Sequence, residues 1–164
     1  MMSKMCKDRM MSESDSTRDG VPEGLPVGAF RVALRTNHLS DARAFYEGLV
    51  GLPLLYAFTA GASSKHDGLI FGVPGTSVTL EFISADEPDA AGEQDEIVLY
   101  LPDPDARDAA ATRLAEAGLA PVTPAQYWID NDSVAFHDPD GRMVIFAPWI
   151  FGKQSPPARL KGLR

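Results

Sequence analysis

The sequence predicts an α+β protein made of two tandem βαβββ modules. Three observations predict it. The same order of elements occurs twice, at an offset near 65 residues. Each run opens with a short apolar strand that leads straight into a helix start. Each run closes on two alternating strands joined by a tight turn rich in Pro and Gly.

The first module occupies about 28–85 and the second about 95–149, separated by "ADEPDAAGEQD". In "AFRVALRTNHLSDARAFYEGLVGLPLLYAF" a strand precedes "DARAFYEGL", where Ser40 is placed to cap the helix and Ala42, Phe45, Tyr46 and Leu49 share one face. In "EIVLYLPDPDARDAAATRLAEAGLAPVTP" Asp103 takes the capping position and Pro104 the first helical one, where its missing N–H costs nothing. Ala106, Ala110 and Leu114 line that helix, and Gly118 suits a left-handed C-terminal cap. A strand follows each helix, at "GLPLLYAFTA" and "GLAPVTP". Two more strands complete each module. "HDGLIFGV" and "TSVTLEFIS" are joined at Val73-Pro74-Gly75-Thr76, a type II turn by composition, and "DSVAFHD" and "RMVIFAPW" are joined by "DPDG".

Charge is uneven along the chain. Residues 28–150 carry seven basic and eighteen acidic side chains, within a whole-chain net charge of −8. An acidic body excludes wrapping of nucleic acid, which needs a basic face. No run of about 18 apolar residues is present, so no spanning helix and no membrane partner is expected. Cys6 is the single cysteine, which excludes an intrachain disulfide and a cysteine-based metal cluster. Residues 1–27 are polar and read as a disordered tail, and 151–164 as a basic solvated tail. With no apolar stretch of signal-peptide length, a cytoplasmic location is the default.

Strand alternation assigns faces. Phe30, Val32 and Leu34 oppose Arg31, Ala33 and Arg35; Leu80 and Phe82 oppose Thr79 and Glu81; Ile97, Leu99 and Leu101 oppose Glu96, Val98 and Tyr100. The apolar faces belong against the helices, and the mixed faces then line the concave side of the sheet. On this reading Arg31, Glu81 and Glu96 share one cavity. "QYWIDND", read as extended in such a fold, sets Tyr127 and Trp128 beside the cavity mouth on opposite sides of a strand, so that either one of them at most stacks on a ligand or the pair packs at the edge. His137 has the parity of Ala135 and faces the cavity, either as an acid or base or as a structural group.

The element order, with "HLSDARAFYEGLVGL", "LEF" and "HDPDG", resembles the vicinal oxygen chelate superfamily, which includes glyoxalases, bleomycin-resistance proteins and fosfomycin-resistance enzymes. The resemblance covers about 28–150 and implies that the two modules form a curved mixed sheet with an internal cavity. It implies four strand positions that hold a divalent metal in metal-using relatives, and here they are Arg31, Glu81, Glu96 and Ile145. Arg31 to Glu96 and Glu81 to Ile145 are 65 and 64 residues apart, in step with the repeat. Arginine offers no lone pair and isoleucine no donor atom, so no metal and no cofactor is expected. The resemblance also implies a homodimer, with the cavity formed either within one chain or between exchanged halves.

The expected function is therefore metal-free binding of a small amphipathic molecule, by Arg31, Glu81, Glu96, Tyr100, Tyr127, Trp128 and His137. Arg31 either anchors the ligand or serves only as an internal counter-ion for the two glutamates. The alternative is an enzyme of the same superfamily, a lyase, isomerase or dioxygenase, using cavity acids and bases or an unusual metal set.

Overall fold

The first half runs β1 (Phe30–Thr36), α1 (Leu39–Arg43), a π-helical stretch (Ala44–Val50), β2 (Leu54–Phe58), β3 (Gly68–Gly72) and β4 (Val78–Ser84). The second runs β5 (Glu96–Tyr100), α2 (Pro104–Glu116), α3 (Gln126–Asp130), β6 (Val134–His137) and β7 (Met143–Ala147). The computed structural model describes residues 28–62, 64–87 and 95–148, so both expected tails lie outside the described residues. The strands form two mixed sheets, ordered β1-β4-β3-β2 and β5-β7-β6. In each, the first strand of the half lies parallel to the last, and the last two strands are antiparallel. The α+β class and the repeated order are as the sequence predicts. One strand is reduced: after α2 the chain pairs at a single bridge, Val122 to Ala135, where the first half has β2.

Local chemistry explains most helix ends. Asp103 accepts a hydrogen bond from the Ala106 backbone N–H at 2.8 Å, with Pro104 opening α2. Gly118 closes the helix with φ of 88°. Asp103→Ala is expected to cost about 1 kcal/mol, read as a lower urea midpoint at unchanged slope. Ser40 does not cap α1. The helix starts two residues earlier, with His38 at the cap position, and the Thr36 hydroxyl accepts from the His38 N–H at 2.9 Å. Wider π-helical turns leave carbonyls without ordinary partners at the end of that segment. Arg113 of α2 meets two of them, donating from Nε to the Leu49 carbonyl at 2.6 Å and from Nη2 to that of Val50 at 3.4 Å.

The two halves share one core. Ala42, Phe45 and Tyr46 from the first helical segment pack with Phe71, Leu80 and Phe82 of the first sheet and with Ala110, Leu114, Phe136, Val144 and Phe146 of the second half. Val32, Leu34, Ile97, Leu99 and Leu101 lie against the same cluster, as expected of the apolar faces, whereas Phe30 at the start of β1 was expected there and is 58% exposed, outside the core. Burying side chains of this size stabilises by roughly 1.5–3 kcal/mol each.

The "DPDG" turn is more than a turn. Asp138 Oδ1 accepts from the backbone N–H of Asp140 at 3.0 Å and of Arg142 at 2.8 Å. Asp138 Oδ2 accepts from the Tyr46 hydroxyl at 2.8 Å and from Arg142 Nη1 at 3.3 Å. Arg142 also donates to Asp140 Oδ2 at 2.7 Å and, through Nη2, to the Arg35 carbonyl at 2.6 Å, while Thr36 donates to Asp140 Oδ1 at 2.9 Å. The side chains of Asp138, Asp140 and Arg142 are almost wholly buried. This charged hub ties the last hairpin of the second half to the end of β1 and the first helical segment.

Candidate functional site

The mixed face of the first sheet is set by register. Ala33, Glu81, Ile70 and Tyr56 lie in one row across the four strands, and Arg35, Ile83, Gly68 and Phe58 in the next. Over this face lies an open groove of about 920 Å³ lined by Arg31, Glu81, Ile70, Tyr56, Phe58 and Asp67 among others, all from the first half. Arg31 reaches from edge strand β1 to Glu81, with Nη1 to Oε2 at 3.5 Å. The arginine side chain is 52% exposed and the glutamate 12%. Tyr56 and Phe58 stack with ring centroids 6.2 Å apart on the opposite edge strand. Asp67 is tied into the loop, accepting from the Ala60 N–H at 2.7 Å. The groove thus offers a guanidinium with donors to spare, two carboxylates and an aromatic wall.

Glu96 is not in this groove. Its Oε2 accepts from the Trp128 indole N–H at 3.0 Å on the mixed face of the second sheet. The expected strand at 126–132 is a helix instead. Trp128 N–H bonds the Ala125 carbonyl at 2.9 Å, and Gln126 Nε2 donates to Asp130 Oδ1 at 2.8 Å across one turn, a spacing that favours helix. Trp128 is therefore buried beneath the helix, and Tyr127 stands edge-on to it at 4.9 Å and half-exposed. Tyr100 is partly exposed, its phenol pushed up by burial and by Tyr127. His137 aligns with Met143, which aligns with Glu96, so these three form one row across β6, β7 and β5. The site residues expected from sequence thus fall into two groups. Arg31 and Glu81 meet in the groove, while Glu96, Tyr100 and His137 on the second sheet and Tyr127 and Trp128 on α3 belong to the second half.

The four positions where relatives hold a metal do not suit one here. Arg31 has no acceptor. Ile145 is fully buried in an apolar cluster with Trp128, Ala135 and Ala147. Glu81 and Glu96 lie on different sheets. Among the described residues, no group of three His, Cys, Asp or Glu is placed to hold an ion.

The two βαβββ-type halves and their mixed sheets define a protein of the glyoxalase and fosfomycin-resistance fold, within the vicinal oxygen chelate superfamily. Residues 30–83 match the YycE-like N-terminal domain and residues 95–147 the YycE-like C-terminal domain. Together they take in well over half the chain, which belongs to the YycE-like family. Among solved structures, a YycE protein of unknown function from Bacillus subtilis is similar at 27% identity and TM-score 0.66, over 76% of this chain and 93% of that one. A FosX fosfomycin-resistance protein from Listeria monocytogenes, solved with Mn(II) and 1S,2S-dihydroxypropylphosphonic acid, shares the fold at 15% identity and TM-score 0.59, over 74% and 91%. A lactoylglutathione lyase from Agrobacterium tumefaciens does so at 21% and 0.55, over 74% and 94%. No curated protein sequence matches the chain.

Among the described residues no helix is long and apolar enough to cross a membrane. The hub of Thr36, Tyr46, Asp138, Asp140 and Arg142 escaped the sequence reading. The only signal was the pair of acids flanking Pro139 with a cation two residues on, in a hairpin otherwise read as a turn.

Proposed function

We propose that this protein binds a small amphipathic molecule without a metal, in the groove of the first sheet, with Arg31 and Glu81 as its polar anchors. The observation that carries the reading is the groove itself: apolar and aromatic walls around one convergent ion pair, the pattern of small-molecule sites. The misfit of the four metal positions supports metal independence.

The working unit is a homodimer. The groove has walls from one half only, and the second mixed face, with Glu96 and Tyr100, stands apart from it. A second copy placing that face over the groove would enclose the ligand, and a symmetric pair is the usual arrangement of soluble oligomers.

A thermal-shift screen against metabolites and antibiotics, in chelator and again with Mn(II) or Zn(II), tests the proposal. The expected result is a ligand whose stabilisation survives the chelator and disappears in Arg31→Met. The unliganded variant should keep its stability within about 1 kcal/mol, because a half-exposed ion pair contributes little. A shift seen only with added metal, or one unchanged in Arg31→Met, would refute it.

A further inference from the structure

The floor of the groove has a position where an added side chain would force a neighbouring ring to move. Gly68 on β3 lies directly opposite Phe58 on β2. A Cβ built on Gly68 would run into the Phe58 ring. The absence of a side chain at 68 is what lets the ring lie flat across the β3 backbone. At the other side of the groove Arg31 leans from β1 onto Glu81 of β4. Ring and guanidinium therefore converge from opposite edges on neighbouring strands, one row apart. One strand spacing of about 4.8 Å and two residues of about 3.3 Å each place them about 8 Å apart. That span suits a flat ring carrying a polar atom a few bonds away.

Charge decides what that polar atom is. Among the described lining residues the groove holds one cation, Arg31, against two carboxylates, Glu81 and Asp67, in a chain of net charge −8, and Arg35 shares the face at the β1 end of the row of Phe58 and Gly68. A ligand anion at Arg31 would face Glu81 across the same guanidinium. A ligand cation at Glu81 would face Arg31. A neutral acceptor avoids both. The contact with Glu81 is long and uses one of the five guanidinium N–H groups, which leaves others for a carbonyl oxygen.

We propose that the ligand is an uncharged planar molecule, an aromatic or conjugated ring bearing a carbonyl oxygen, stacked on Phe58 over Gly68 with that oxygen on the Arg31 guanidinium. This rests on the groove being the binding site. Two probes share a ring and differ in charge: naphthalene-1-acetamide and naphthalene-1-acetate. Their dissociation constants are measured by NMR titration on the parent and on Arg31→Met, Phe58→Leu and Gly68→Ala. The amide is expected to bind the parent at least tenfold more tightly than the acid, and to weaken at least tenfold in each variant. Phe58→Leu reads the ring contact even if Gly68→Ala does not fold. Tighter binding of the acid, sensitive to Arg31→Met, would overturn the uncharged class and leave the groove as the site. Amide binding unchanged in Phe58→Leu would overturn the ring contact. Binding of neither probe, or equal binding to parent, Arg31→Met and Phe58→Leu, would overturn the inference and the groove assignment together.

Discussion

Arg142→Met is expected to destabilise the fold by about 3–5 kcal/mol, the usual effect of removing one partner from a buried ion pair. The guanidinium is 3% exposed and neutralises two carboxylates whose side chains are 0% and 2% exposed, Asp138 and Asp140. Without it both remain buried with less than one charge's worth of compensation, and the Arg35 carbonyl loses its donor. Urea denaturation followed by tryptophan fluorescence measures the loss. Adding Asp140→Asn to Arg142→Met should recover part of it, since one of the two stranded charges is gone. A loss below about 1 kcal/mol would place the cluster in the range of solvated pairs and refute the account of it as a buried hub.

Tyr46→Phe tests the same hub from the first half. Its phenol is fully buried and donates to Asp138 at 2.8 Å, so the variant should lose about 1–3 kcal/mol. The pH dependence gives a second readout. Burial, then the charge of Asp138 and its hydrogen bond, push the phenol far above its ordinary value, against the lowering effect of Arg142. The folded value lies above the unfolded one, so this stability is fully present below the unfolded value near pH 10. Above it the unfolded chain loses a proton that the native chain keeps. Stability then falls by about 1.4 kcal/mol per pH unit for this one group. Tyr100 adds a shift in the same direction. Tyr46→Phe should flatten the alkaline limb, and an unchanged slope above about pH 10 would refute the assignment.

Features carried by neighbours in sequence were legible. Asp103 and Pro104 announce a helix start because the capping bond spans three residues. The alternation in "FRVALR" correctly turned Val32 and Leu34 to the core and Arg31 to the groove because strand faces follow parity. "SDARAFYEGLVGL" and "HDPDG" carried the superfamily. What failed was set by distant partners or by competing local geometry. Thr36 finds Asp140 across 104 residues, a pairing no local pattern encodes. Glu96 finds the Trp128 indole because α3 forms where a strand was read, and the expected three-residue cavity divides accordingly. Ile145 could be seen to lack a donor atom. That it fills the former ligand position with apolar packing needed the neighbours Trp128, Ala135 and Ala147.

The core that both halves share bears on how such a chain can vary. Duplicated modules that each seal their own apolar layer are free to diverge separately. Here Phe45 and Tyr46 of one copy lie in the same cluster as Leu114, Phe136 and Phe146 of the other. A volume change in either copy is felt across the pseudo-repeat, and such neighbouring substitutions combine non-additively. The two copies are thus bound into one epistatic unit at the core, while the groove is lined by the first copy alone and touches that unit through Leu69.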